Sequence, residues 1–472
     1  MTLIAFIFIA FGVVVAFFWT VNRIILEGKW SYFIYFLLIY LPIYITSLSV
    51  VYLVSGSSEA VLLFQSLKEL IVLIAVIAFI FFKKKLSDYP FRLQTTDWLM
   101  LSFLSLTTLF LILPIGQASF VNKLLYYKGM IIPGLIYFLG RNTRFDETEI
   151  NRVFQIVFAI AVGAFLVNIV ETFILDTHLQ QFTGYALFNL EVSDLEPTGN
   201  YNLTWTFEST AAIKRFASFF SNPLELASSV LMGFSAGLIW FLTTKKSTNR
   251  IYLFVMFCSL GSLIFASSRA AFAAFFVMVL FIAVVFKLYQ LIGFGFVCFL
   301  LFVAYVFFFA SEDLIFYVID TLKMEDTSSV GHVVQWALAF NSMLSNPMGI
   351  GLAMSGNFGS VTDDLRVGGE NQYLIYGVQL GWLGMLLYIG MLVSGIRESI
   401  YAFKNSENLS IARVAFVAGT VKVGLLLPMF TANIEIYTYV SWVSWWMIGL
   451  AVNEYSSLKT HSNDTSPQLS NL

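Results

Sequence analysis

The strongest constraint on this chain is its succession of apolar stretches. A run of about 18 or more apolar residues is long enough to cross the hydrocarbon core of a bilayer as a helix. Such stretches occur near 3–21, 31–54, 60–82, 97–115, 124–140, 150–175, 222–243, 251–268, 270–287, 290–310, 372–395, 411–430 and 435–453. In lipid the backbone must satisfy its own hydrogen bonds, so consecutive spans of this length imply helices. The expected fold class is therefore all-α: a polytopic transmembrane helical bundle of about 12–13 spans. The first stretch lacks a basic start and a cleavage-site pattern, and is expected to be a retained helix.

The connecting segments orient the bundle. Lys and Arg accumulate in cytoplasmic loops close to span ends. Arg23 and Lys29 mark one loop, Lys83, Lys84, Lys85 and Arg92 the next, then Arg141, Arg144 and Arg152. Lys245, Lys246 and Arg250 follow, then Lys287, then Arg397, Lys404 and Arg413, and finally Lys459. Every second loop carries them, so one alternating topology satisfies all. It places the chain's end in the cytoplasm and two long acidic segments, 176–221 and 311–371, outside. The second contains an amphipathic stretch from His332 to Leu344, so this outer loop is expected to be partly helical. The expected divisions are N-terminal helices over 1–175, a first outer loop over 176–221 and central helices over 222–310. A second outer loop over 311–371, C-terminal helices over 372–454 and a disordered polar tail over 455–472 complete them.

Composition narrows the function classes. Hydrophobic residues make up 59% and charged residues 11%, with a net charge of −2 and no basic stripe, which excludes nucleic acid as a partner. Cys258 and Cys298 lie in separate spans, away from any ligand-like spacing, and no Asp-x-Asp metal motif occurs. No metal and no cofactor are assigned. Because charge is scarce, ionisable residues inside spans carry information. They are Lys68, Glu69, Lys128, Glu171, Glu225 and Lys422, each in the outer half of its helix. Glu171 and Glu225 suit snorkelling toward a helix end. Lys68, Glu69, Lys128 and Lys422 are expected to line a shared cavity opening outward.

Four segments carry motifs. The first is Arg215-Phe216-Ala217-Ser218-Phe219-Phe220-Ser221-Asn222-Pro223, leading into a span. The second is Ala266-Ser267-Ser268-Arg269-Ala270-Ala271. The third is His332-Val333-Val334-Gln335-Trp336, followed by Asn346-Pro347-Met348-Gly349-Ile350-Gly351. The fourth is Glu370-Asn371-Gln372-Tyr373-Leu374, followed by Gly381-Trp382-Leu383-Gly384. In order and spacing, roughly over 210–395, they resemble the O-antigen ligase and polymerase superfamily of bacterial envelope glycosyltransferases. The matching family patterns are Arg-x-x-Gly/Ser-x-x-x-Asn-Pro, Thr/Ser-x-Ser-Arg-Gly/Ala, and Arg-or-His-x-x-x-Trp followed by Pro-x-Gly-x-Gly. Ligases often have His-Asn where this chain has Glu370-Asn371, a departure that favours polymerase over ligase.

The resemblance implies a substrate: sugars carried on undecaprenyl diphosphate at the outer face of the bacterial cytoplasmic membrane. It also implies membrane lipids and a chain-length regulator protein as partners. Arg binds phosphate through a permanently charged planar fork. Arg215, Arg269 and Arg366 are therefore candidates for the diphosphate, whose charge grows as the sugar leaves. The alternative for Arg215 and Arg269 is anchoring of helix ends at headgroups. His332 and Glu370 are the candidate general bases for the attacking hydroxyl. Gln335 and Trp336 share a helical face with His332, and with Asn371 are candidates for holding sugar or acceptor. His332 could instead hold sugar or phosphate, and Glu370 could cap the helix it precedes.

The expected activity is thus polymerisation of lipid-linked oligosaccharide repeats. Ligase-type transfer of a finished glycan is the alternative within the same superfamily. A polysaccharide transporter or lipid flippase is the alternative from another class. A transporter calls for repeated halves and mid-membrane binding groups in broken helices. No internal repeat is present here.

Overall fold

In the computed structural model the described residues are 2–82, 92–208, 214–245, 249–287, 327–356 and 366–464, with isolated positions between 289 and 304. Among them the fold is all-α, with no strand and one isolated bridge between Glu208 and Lys214. The helices are α1 (Thr2–Glu27), α2 (Phe33–Tyr40), α3 (Tyr44–Ser55), α4 (Ser58–Phe82) and α5 (Thr95–Ile112). Then come α6 (Phe120–Arg141), α7 (Glu147–Val170), α8 (Tyr185–Val192), α9 (Pro223–Thr243) and α10 (Arg250–Ala266). The rest are α11 (Arg269–Val285), α12 (Thr327–Ser345), α13 (Gln372–Asn405), α14 (Leu409–Leu426) and α15 (Thr438–Asp464).

Eight segments among the described residues are long and apolar enough to cross a membrane. The expected spans coincide with helices except for 290–310, most of which lies outside the described residues. Three differ in detail. The stretch expected at 31–54 is interrupted at Pro42, where a short 3-10 turn separates α2 from α3, because proline has no N–H for the helix ladder. The stretch expected at 372–395 runs on to Asn405 and is broken at Gly381. Finally, α15 continues to Asp464, past the boundary expected at 455; residues 465–472 lie outside the described part.

Small residues decide the tightest helix contact. Along α6 and α15, a Cβ added to Gly140 would lie 2.2 Å from the Trp446 carbonyl oxygen, and one added to Gly449 would lie 2.2 Å from that of Tyr137. Such gaps let two backbones touch, which is how membrane helices gain packing where lipid supplies no hydrophobic drive. Trp445, Trp446, Tyr137, Tyr388 and Tyr439 fill the surrounding core and are fully buried.

The basic loops gather at one end of the bundle. There Arg141 reaches Asn453 (2.7 Å), Gln94 reaches Ser456 (3.1 Å), Arg413 reaches Thr243 (2.8 Å) and Ser406 reaches Glu454 (2.6 Å). Capping boxes at Gln94/Asp97 and Asp146/Glu149 start α5 and α7 at this end. The starts of α4, α6, α13 and α15 share the opposite end, and it carries every candidate site residue.

Candidate functional site

The geometry at that end begins with a helix break. Gly381 adopts φ 73°, which interrupts α13 and frees carbonyls of the preceding turn. The turn after α12 supplies their partners. Ile350 N donates to Val378 O (2.9 Å), Gly351 N to Gln379 O (3.1 Å), and Trp382 N donates back to Pro347 O (3.1 Å). The Gln379 side chain completes the seam, accepting from Ala353 N (2.9 Å) and donating to Ser355 O (3.0 Å). The approach needs glycine: a Cβ on Gly349, at φ +88°, would sit 2.5 Å from Gly381 N and 2.6 Å from Gln379 O. Thus the second halves of the third and fourth sequence motifs form one docked unit.

That unit fixes α12 over the start of α13. Ala339 and Met343 pack against Gly368 and Gly377, and are buried. His332 Nδ1 then lies 2.6 Å from Glu370 Oε2, and its ring stacks on Trp336 at 6.3 Å between centroids and 25° between planes. The two residues considered as alternative bases therefore form a single pair. Gln335 occupies the same helix and is half-buried. Asn371, expected near the sugar or acceptor, is instead buried and caps α13, accepting from Tyr373 N (3.0 Å) and Leu374 N (3.1 Å). The capping considered for Glu370 belongs to this neighbour.

A second cluster forms where the first two motifs meet. Arg215 Nε donates to Ala266 O (3.2 Å) and Phe216 N to Phe265 O (3.0 Å), pinning the first motif to the end of α10. Ser268 then caps α11, accepting from Ala271 N (3.4 Å), and Arg269 is its first residue. Arg215 and Arg269 consequently flank one corner. Arg366 donates to Gly356 O (3.3 Å), the carbonyl that also accepts from Tyr126 OH (2.8 Å). Tyr437 lies within electrostatic range of both Arg215 and Glu370, which relates this corner to the His332 pair.

Beneath these groups is a cavity of about 60 Å³. Lys68, Glu69 and Lys128 line it, and Lys128 pairs with Glu69 at 3.1 Å. Lys422 does not. It lies one layer behind, 1% exposed, 4.0 Å from the Trp445 ring centroid and 3.9 Å from Glu435, which does line the cavity. Its expected place is corrected accordingly: its neighbour Glu435 lines the void and Lys422 does not. Gln372 also faces the cavity, and its Oε1 accepts from Glu435 N (3.0 Å). Sequence reasoning missed Glu435, which falls at the edge of an apolar stretch. The short polar break around Asn433 and Glu435 was the available signal.

Snorkelling is also corrected. Glu171 and Glu225 are 0% and 6% exposed. The Glu171 carboxylate accepts from Leu179 N (2.8 Å) and Ser218 N (3.0 Å), tying both ends of the first outer loop together. Ser218 needs such a brace because it sits at φ 54°, sparsely populated for a residue with a side chain. Glu225 turns to Ser221, accepting from its N–H (3.3 Å) and hydroxyl.

His178 in that loop was not singled out from sequence. Its ring is fully buried against Tyr201, Phe207 and Phe216, and neither ring nitrogen has a hydrogen-bond partner. Burial, with the Lys214 cation nearby, lowers its pKa from 6.5 to about 4. The neutral ring thus stabilises the loop fully above about 6.5, and this contribution is lost as pH falls toward about 4. Amide protection over 178–207, corrected for intrinsic exchange, is expected to drop between pH 7 and pH 5. His178→Phe should remove most of that drop. Equal protection at the two pH values in the parent protein would contradict this.

Among the described residues no group of three His, Cys, Asp or Glu side chains is placed to hold a metal ion. No curated protein matches the chain. The family model described as O-Antigen ligase matches residues 254–389, a stretch that holds Arg269, the His332–Glu370 pair and the glycine seam but neither Arg215 nor the cavity lysines. Residues 254–389 are thus similar to the O-Antigen ligase family and are set in an all-α polytopic bundle, consistent with the O-antigen ligase and polymerase superfamily.

Proposed function

We propose that this protein is a glycosyltransferase that polymerises undecaprenyl-diphosphate-linked oligosaccharide repeats at the outer face of the bacterial cytoplasmic membrane. The family domain supports transfer of a lipid-linked glycan. In this reading the basic end of the bundle faces the cytoplasm, by the bias of Lys and Arg toward that side, and the His332 end faces outward. The observation that carries it is the 2.6 Å contact between His332 and Glu370. That contact puts the Glu370 charge beside the imidazole without a hydrogen bond to Nδ1, so it favours a proton taken up at Nε2 by charge alone.

The chemistry then balances simply. The acceptor hydroxyl oxygen forms a bond to the anomeric carbon while the bond from that carbon to the diphosphate oxygen breaks. The diphosphate lipid leaves with the electron pair, and the hydroxyl proton passes to His332 Nε2. Glu370 stabilises the imidazolium that results. Arg215, Arg269 and Arg366 offset the charge growing on the diphosphate. Gln335 and Trp336, beside His332, hold sugar.

The test is purified protein with a synthetic diphosphate-linked repeat. A ladder of products supports polymerisation, a single transfer to a second acceptor supports the ligase reading that the family's description favours, and no reaction refutes both. Arg269→Lys is expected to lose most of the activity, because a point charge lacks the two-pronged fork. Full activity in that variant would reassign Arg269 to anchoring the helix end. A chain-length regulator is the partner this reading calls for, and it would alter the ladder's spread.

A further inference from the structure

The cavity beneath the site contains a charge that the reaction above does not use. Lys68 is 8% exposed and its ammonium lies 3.7 Å from the Tyr44 ring centroid and 5.6 Å from that of Trp442. Among the described residues no carboxylate and no hydrogen-bond acceptor meets it. Glu69 is the carboxylate that acts on it most, without a hydrogen bond to it, and its Oε2 is buried and unpartnered. Glu69 is paired with Lys128, and Glu435 accepts from Tyr388 OH (2.6 Å), from Trp445 Nε1 (3.2 Å) and from the Ser441 hydroxyl, with Lys422 behind it. Glu225 acts on Lys68 only at a distance, its carboxylate being turned to Ser221. Aromatic faces offset part of the cost of burying an ammonium, on the order of 2 kcal/mol. They do not replace a hydrogen-bonded anion.

We propose that this cavity is a recognition subsite for the carboxylate of an acidic sugar in the glycan, held by Lys68. The proposal rests on the reading of the protein as a lipid-linked glycan transferase. Size favours a carboxylate over the lipid diphosphate. At about 10–15 Å³ per water, a void of about 60 Å³ holds a handful of waters, room for one carboxylate end. One lysine is a compact point charge, whereas a diphosphate suits arginine forks, and none of Arg215, Arg269 and Arg366 lines this void. The other walls suit a sugar: the Gln372 and Asn433 amides for hydroxyls, and Trp442 for a C–H face. Gln372 is two residues from Glu370, so a sugar whose carboxylate enters here lies on the side of the catalytic pair.

The test uses the full-length purified protein and three probes: glucuronate, glucose and inorganic pyrophosphate. Binding is read by saturation-transfer NMR and by tryptophan fluorescence, since Trp442 lines the site. Glucuronate is expected to bind about tenfold or more tighter than glucose, the worth of one hydrogen bond to a charged group. Lys68→Met should erase that preference and Lys68→Arg should retain part of it, with unfolding temperatures confirming folded protein. Equal binding of glucuronate and glucose, or an unchanged preference in folded Lys68→Met, overturns the proposal. Displacement of glucuronate by lower concentrations of pyrophosphate also overturns it, and would make the cavity a diphosphate pocket. Because binding is read without turnover, a glucuronate preference in a protein that forms no polymer refutes the polymerase reading and leaves the subsite standing.

Discussion

His332→Ala is expected to lower polymer formation by about 10²–10⁴-fold, the usual worth of a positioned general base. Lipid-donor binding should change little, since the diphosphate is assigned to arginines elsewhere. Glu370→Gln is the informative companion. The amide keeps the shape of the carboxylate but cannot stabilise an imidazolium, so activity should fall while donor affinity holds. Because the two side chains meet at 2.6 Å, their losses should not add: the double variant should be little worse than His332→Ala alone. Additive losses would show two independent roles, and robust polymer formation by His332→Ala would remove His332 from the chemistry.

The second large effect concerns the glycine seam. Gly349→Ala is expected to abolish accumulation of folded protein or leave it inactive. A Cβ there would meet Gly381 N at 2.5 Å and Gln379 O at 2.6 Å, both backbone atoms that cannot rotate away. The residue also sits at φ +88°, which costs about 1–3 kcal/mol for a residue with a side chain. Gly331→Ala, on α12 with nothing within 4 Å of its added carbon, is the control and should be well tolerated. The comparison is read as yield of monodisperse protein and as activity per folded molecule. Comparable behaviour of the two variants would mean that the seam does not hold α12 in place.

Much of this architecture was legible because bilayer physics is strict. Spans of sufficient length must be helices, and the alternation of Lys and Arg collected the basic loops before any coordinates. Within the site, Lys68 and Glu69 on α4 and Lys128 on α6 were grouped from their depth in the helices alone. What sequence could not supply was pairing across long separations. Nothing local says that the His332 ring meets Glu370, or that Glu171 reaches Ser218, because those contacts depend on how a broken helix and a loop fold back. Snorkelling was the wrong reading for Glu171 because its partners are backbone N–H groups, which every residue but proline carries and which leave no mark in a sequence, and for Glu225 because the nearby Ser221 N–H and hydroxyl hold it. Asn371 was read only as a ligand because a cap and a sugar-binding amide look alike until the N–H groups they serve are located.

Glu370, Asn371 and Gln372 are consecutive, yet each answers to a different master. The first faces His332, the second closes the end of α13, and the third borders the cavity and holds the Glu435 backbone. Gln372 is the first residue of α13 and Asn371 its extended cap, so a single residue inserted or deleted here would break the cap and shift Glu370 from His332 together. This tripeptide therefore has little freedom to drift. New glycan preferences have an easier route through the cavity's far wall, on α4 and α6, where a change alters what fits without re-registering the reactive pair.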